Sequence, residues 1–414
     1  MDAAERSADK TGRYGLNMRL PNQLKRITGD FAINILASVI YTFARQIVVF
    51  PILAARLSDA DYGTLLTVAG LANVCTALVG SSMNNIRLVQ NSRYEEQGRH
   101  GDFLLLCGAG AGVSVLFSLV LWWLFGYSWL TALLLTAYIL VSNLYQYATA
   151  FFRLDLNFRR IFLANVVVSL AYIAATPVFA TGVLWPAVFL VGEGVGLLYT
   201  ARVTPVFREP VVKTPLMGET GKKLLIFMAS GLVGNLLMYA DRMIIYPVLG
   251  AESVSYYSTA SFFGKSAGIV MTPIAGVLLG YFAQKGFAAS KKLFTLVNGA
   301  SMACLLVFLG GCWLFAPWFT ELLYPTLYQQ SAPYIMLANI GAVIGIAANM
   351  AQPMILKCCS TKWLLVIQGL YTAAYLGSAL AWLPAHGLLG FCWATIFANG
   401  VRLLALYALG YWKF

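Results

Sequence analysis

Charge is what this sequence has least of. Only 11% of its 414 residues are charged, and acids are the scarcer sign, 16 against 28 Lys and Arg. Beside a hydrophobic content of 60%, this excludes a soluble globular chain, which carries about 25% charged residues. Histidine is nearly missing, and His100 and His386 stand too far apart in the sequence to begin a metal cluster. No GxxxxGK[ST] loop occurs, which argues against direct drive by ATP. No enzyme constellation is present and no cofactor is expected. The cysteines make no exported disulfide framework, because Cys75, Cys107, Cys304, Cys312 and Cys392 fall inside apolar runs while Cys358 and Cys359 adjoin Lys357 and Lys362. Long polar loops are lacking too. The longest on the less basic side, residues 316–332, offers only Glu321, which weighs against a membrane glycosyltransferase such as a polysaccharide polymerase.

Long apolar runs are what the chain has instead. A hydrocarbon core of about 30 Å needs roughly 20 residues of helix, and twelve such runs are read at 31–54, 63–83, 103–126, 128–151, 161–181, 183–203, 224–248, 257–282, 293–318, 332–356, 363–383 and 388–411. The expected fold is all-α and polytopic. The first run is too long for the core of a signal peptide and holds Arg45, so it is read as a retained span behind a basic leader. With the amino terminus inside, 23 of the 28 Lys and Arg residues fall on the cytoplasmic side and only Arg56 on the other. Such asymmetry is an orientation signal and predicts both termini to be cytoplasmic. It also accounts for the net charge of +12 without nucleic acid.

The Pro-containing stretch from Arg202 to Lys223 divides the runs six and six. The organisation expected is a basic leader at 1–30, a first bundle at 31–203, a cytoplasmic linker at 204–223 and a second bundle at 224–414. A faint repeat supports this division: residues 56–63 (RLSDADYG) and 248–257 (VLGAESVSYY) each follow a charge-bearing span with a Pro near its outer end, Pro51 or Pro247. Interrupted helices at matching places in two halves point to a transporter's binding region.

Four cations and two acids lie within spans. Each costs roughly 2.5–3.5 kcal/mol to insert and persists mainly where it faces protein or water. At about 1.5 Å per residue, Asp241 and Lys265 both lie about 12 Å from the outer end and Arg45 about 15 Å. Arg45, Arg242 and Lys265 are therefore candidates for one cationic layer, with Asp241 as its acid and partner of Lys265. A diphosphate matches such a layer. Arg402 either serves an inward-facing cleft or snorkels. Glu193, in the GEGVG segment of the sixth span, is a candidate for proton or sodium coupling, the plain alternative being a neutral packing residue. Asn34, Asn73, Asn143, Asn235, Asn339 and Asn349 are read as helix bridges, and Trp122, Trp123, Trp129, Trp185 and Trp318 as an interfacial belt.

Leu57 to Gly63 (LSDADYG), the segment ending at Arg87, Asp241, and Leu249–Gly250 before Tyr256, Tyr257 and Ala260 together resemble the polysaccharide transport branch of the multidrug, oligosaccharidyl-lipid and polysaccharide exporter superfamily, the O-antigen or capsule repeat-unit flippases. The second half departs from the usual Gly-x-Tyr in having Ser255. The resemblance implies two six-helix bundles around a central cleft. It also implies an undecaprenyl diphosphate-linked oligosaccharide as substrate, moved across the inner membrane by alternating access, with a polysaccharide polymerase and chain-length proteins as partners. A drug exporter of the same superfamily is the nearer alternative, but cationic drugs call for acids where this chain has bases.

Overall fold

The computed structural model describes residues 32–33, 35–98, 101–155, 157–282, 290–359 and 361–413. The leader, Asn34 and His100 lie outside them. Every regular element among the described residues is a helix. Ten helices are long and apolar enough to cross a membrane. In chain order the elements are α1 (Ile35–Arg56), α2 (Asp59–Glu96), α3 (Asp102–Phe125), α4 (Trp129–Leu154), α5 (Phe158–Phe179), α6 (Trp185–Val203), α7 (Met217–Met238), α8 (Ala240–Leu249), α9 (Ala251–Ala260), α10 (Phe262–Phe282), α11 (Lys291–Leu323), α12 (Ile335–Cys358) and α13 (Thr361–Lys413).

At 53 residues α13 is far longer than one crossing, and it is interrupted at Gly387, whose φ of 58° and ψ of −146° are not helical. A side chain is strained at that φ, so glycine is the residue that suits the turn. The ring pairs Trp363–Trp412 (5.6 Å) and Trp382–Phe397 (5.6 Å) are nearly symmetric about the turn. Thus α13 is an antiparallel hairpin of two crossings. The pairs α7/α8 and α9/α10 are each broken by a single residue, Tyr239 and Ser261, and each pair makes one crossing. Twelve crossings result among the described residues. The turns therefore alternate between a basic end and an end where, among the described residues, Arg56 is the one cation.

Local chemistry sets the ends. Ser58, Ser128 and Ser290 each accept the backbone N–H three residues on, which caps α2, α4 and α11. Polar residues after Met83 suggest that the second span stops there, yet α2 continues to Glu96. Its last turns are held by protein: Arg87 is 3% exposed and makes a bidentate bond to Glu209 (2.5 and 2.9 Å) between the rings of Phe103 and Phe151. Beside it the fully buried Asp102 accepts from Tyr94 Oη (2.7 Å), Thr214 N (2.7 Å) and Thr214 Oγ1 (2.5 Å). The connecting segment 204–216 is therefore docked on the basic ends of α2 and α3.

Packing separates α1–α6 from α8–α13, while α7 lies against α2 and meets the second set through α8. Within the first group α6 lies against α4 and α5, and within the second α12 lies against α10 and α13. The groups meet along α2, whose first turns cross α9 and whose later turns, toward the basic end, lie against α7. A Cβ on Gly63 would stand 1.8 Å from the Ala251 carbonyl oxygen, and Ser255 Oγ donates to the Asp59 carbonyl (2.6 Å). Both contacts join residues four apart on the two helices, so each helix presents the same pair of turns to the other. This reciprocity is that of a two-fold contact, and it places Ser255 where a second glycine would sit.

Candidate functional site

Helix α1 passes through a π-helical turn at Ala44–Val49, just before Pro51. The wider turn accommodates the donor that proline lacks, and it carries Arg45 and Gln46. Half-buried Arg45 donates to Tyr41 Oη (3.1 Å) and lies over the rings of Tyr41, Phe50, Tyr172 and Phe189 at 5.3–5.9 Å. Aromatic faces attract a guanidinium, so Arg45 belongs to the aromatic interior of the first group. Behind it Glu193 is 2% exposed. Tyr41 and Tyr172 both donate to Glu193 Oε1, at 2.9 and 2.8 Å, while Oε2 has no hydrogen-bond partner among the described residues. Two of the three glycines around Glu193 have a packing reason, Gly194 facing open space. A Cβ on Gly192 would meet the Tyr172 ring at 2.3 Å, and one on Gly196 would meet Val168 at 2.4 Å.

In the second group Lys265 Nζ forms an ion pair with Asp241 Oδ2. The equal depths of these residues on consecutive crossings anticipated this contact. Asp241 is buried and Lys265 partly exposed. The Lys265 ammonium also lies 5.3 Å from the Tyr257 ring centroid. From Tyr257 an aromatic column runs through Phe391 (4.9 Å), Tyr375 (6.0 Å) and Tyr371 (5.9 Å). Arg402 caps the column, 5.3 Å above the Tyr371 ring, and donates to Gln352 Oε1 (2.8 Å). It is thus held inside the second group, away from the other cations.

Arg242 points the other way, to α2. It donates to the Leu66 carbonyl (2.7 Å) and lies over Tyr239 (5.7 Å), and its Nε is buried without a partner among the described residues. On the neighbouring side Ser266 donates to Gln46 Oε1 (3.1 Å) and Tyr324 Oη to the Gln46 carbonyl (3.4 Å). Gln46 beside Arg45, Arg242 itself and Ser266 beside Lys265 thus make contacts that join the two groups, which brings Arg45, Arg242 and the Asp241–Lys265 pair to their junction. They lie there as three separately partnered charges and not as one open layer. These contacts, with Tyr256 Oη to Asp59 Oδ2 (2.9 Å) and Thr64 to Tyr246 (3.4 Å), join the groups toward the less basic end.

Other expectations resolve individually. Asn73, Asn143 and Asn339 bridge elements, to Tyr138, to Gly80 and Ser114, and to Gly264. Asn235 bonds only within its own helix, to the Gly231 carbonyl. Trp122, Trp123, Trp129 and Trp318 are exposed as an interfacial belt requires, but Trp185 is buried against Phe189 and does not belong to it. Among the described residues no group of His, Cys, Asp and Glu is placed to hold a metal ion. The clamp of Arg87 on Glu209 and the Asp102 network have no local signal in the sequence, since both depend on the connecting segment folding back.

No family model matches the sequence. No curated protein matches it either. Solved structures do match. An inward-facing multidrug resistance MATE transporter of the MOP superfamily superposes with a TM-score of 0.63 at 15% identity, covering 92% of this chain and 93% of that one. The lipid II flippase MurJ in an inward closed conformation gives 0.63 at 15%, covering 92% and 86%. The Vibrio cholerae MATE transporter VcmN, in a mutant form, gives 0.61 at 14%, covering 94% and 96%. The chain accordingly has the all-α, polytopic membrane fold of MATE transporters and of a lipid flippase.

Proposed function

We propose that this protein moves a polyprenyl diphosphate-linked oligosaccharide across the inner membrane by alternating access, in the synthesis of a surface polysaccharide. The observation that carries the reading is the charge at the junction of the groups. Arg45, Arg242 and Lys265 lie at it on separate partners, and Asp241 pairs with Lys265 alone, a basic surplus that suits a diphosphate and repels a cationic drug. A fold held in common with a lipid II flippase supports a lipid-linked substrate. With the basic end in the cytoplasm, the α2–α9 contacts seal the junction on the outer side, while α7 lies against the inner half of α2. Both termini are then cytoplasmic, and a polymerase and chain-length proteins would take the product on the outer side. Glu193, sealed in the first group with one oxygen unpartnered among the described residues, supplies the site for a coupling proton or sodium ion. The same acid also favours a second reading, a cation-coupled drug exporter.

Deleting the protein and fractionating the lipids separates these. Accumulation of the complete lipid-linked repeat unit on the inner leaflet is expected. Unjoined units facing outward would point to a polymerase instead, and an unchanged lipid pool with drug hypersensitivity to the exporter.

A further inference from the structure

Between the basic-end turns of α1, α4 and α5 lies a cavity of about 340 Å³ that is unlike the two apolar grooves elsewhere on the molecule. Its wall carries Thr42, Gln146, Thr149 and Asn165, with Ser38 and Arg153 on its exposed rim. The rings of Tyr41 and Tyr145 complete it. Thr149 is committed to protein, donating to the Gln146 carbonyl (2.7 Å) and accepting from Asn84 (3.0 Å). The side-chain amides of Gln146 and Asn165 have no protein partner among the described residues. Arg153 is held at the rim by Asn84 Oδ1 (3.3 Å).

We infer that this cavity is a subsite for one sugar ring of the translocated glycan, an inference that rests on the flippase reading above. An amide presents two donors and an acceptor, and leaving such groups unmatched at membrane depth costs free energy unless water or a ligand meets them. Two amides without protein partners and two tyrosines around one cavity offer what a pyranose needs, hydrogen bonds to its hydroxyls and an apolar surface for its C–H face. The volume is at the lower edge of the roughly 300–1,000 Å³ of small-ligand sites, enough for one ring and too small for the oligosaccharide. It is also much wider than a file of single waters, each of which takes about 30 Å³, so conduction of protons alone does not explain it. Arg153 at the rim favours an acidic sugar or an acidic substituent. Tyr41 joins the subsite to the rest of the first group, because its ring lines the cavity while its hydroxyl donates to Glu193 and accepts from Arg45. A sugar seated against Tyr41 is thereby in contact with the residue that touches both the coupling acid and a phosphate-binding cation.

The test is saturation-transfer NMR on the full chain in nanodiscs, with a panel of free hexoses, N-acetylhexosamines and hexuronic acids. At least one member is expected to receive transfer from the wild type and to lose it in the Gln146→Leu/Asn165→Leu double variant, which removes both amides. Thr42→Trp, which fills the cavity from another helix, should also abolish the signal and guards against misfolding of the first variant; melting temperature is recorded for each. Absence of transfer from every sugar overturns the subsite, as does transfer that survives both the double variant and the filled cavity. Repeat-unit accumulation in the deletion strain without sugar binding would leave the flippase standing and remove the subsite, whereas sugar binding without accumulation would remove the flippase reading.

Discussion

Asp241 is sealed from solvent while Lys265, its partner, reaches it from a partly exposed position. The two halves of the pair are therefore not equivalent. Losing Lys265 strands a buried carboxylate, a change that costs about 3–5 kcal/mol when a buried pair is broken from one side. Losing Asp241 leaves an ammonium that can still turn to water or to an anion. We expect Lys265→Met to lower abundance and weaken substrate binding, and Asp241→Asn to keep or tighten binding while slowing turnover. The double change should be milder than the sum of the two. Binding, export and membrane abundance across this double-mutant cycle decide the matter; additive effects, or weaker binding in the Asn variant, return Asp241 to a purely structural role. This pair was legible in the sequence because ionisable residues in spans are rare and helical rise fixes their depth. The tyrosines around Glu193 were not, because Tyr41 and Tyr172 reach it from α1 and α5 and only tertiary packing brings those helices together.

At the scale of elements, the crossing of α2 and α9 is the contact with least tolerance. The repeated segments at 56–63 and 248–257 were visible as a faint likeness, but that they face one another was not, since reciprocity belongs to the packed helices. The helix breaks were also only partly legible: both proline-bearing spans are interrupted, yet at the π-turn Ala44–Val49 and at Tyr239, upstream of Pro51 and Pro247. A second repeated contact supports two related bundles. Tyr172 meets Phe189 at 5.9 Å and 71°, and Tyr375 meets Phe391 at 6.0 Å and 74°; each pair joins the fifth and sixth crossings of its group. In the second group Thr395 stands where Glu193 stands, four residues after the phenylalanine, so the buried acid is particular to the first. For the α2–α9 crossing, Gly63→Ala sets a methyl against the Ala251 backbone, which cannot rotate away. We expect it to push the helices apart and to reduce export severalfold or more. Ser255→Gly removes only the bond to Asp59, a loss of about 1 kcal/mol, and should leave export close to wild type. Export assays at matched abundance test the contrast, and equal effects of the two changes would mean that the crossing does not set the closed state.

For the molecule as a whole, the assignment of the basic end to the cytoplasm decides which way the junction of the groups and the polar cavity face. The support for it is the distribution of charge: among the described residues 15 Lys and Arg fall at one end and Arg56 alone at the other, and retention of Lys and Arg on the cytoplasmic side orients multi-pass chains. The hairpin at Gly387 matters here, because reading α13 as a single crossing would put the carboxy-terminal Lys413 at the opposite end from Lys362. The structure also supplies reporters at both ends. Lys213 is exposed on the docked segment 204–216, and Glu252 is exposed on the first turn of α9 at the less basic end. In a background without native cysteines, Lys213→Cys should resist a membrane-impermeant maleimide applied to whole cells and react once the membrane is opened, whereas Glu252→Cys should react from outside at once. Labelling of position 213 from outside, with 252 protected, would invert the molecule. The Arg45, Arg242 and Lys265 junction would then be sealed toward the cytoplasm, the polar cavity between α1, α4 and α5 would face away from the newly made substrate, and loading from the inner leaflet could not begin in this state.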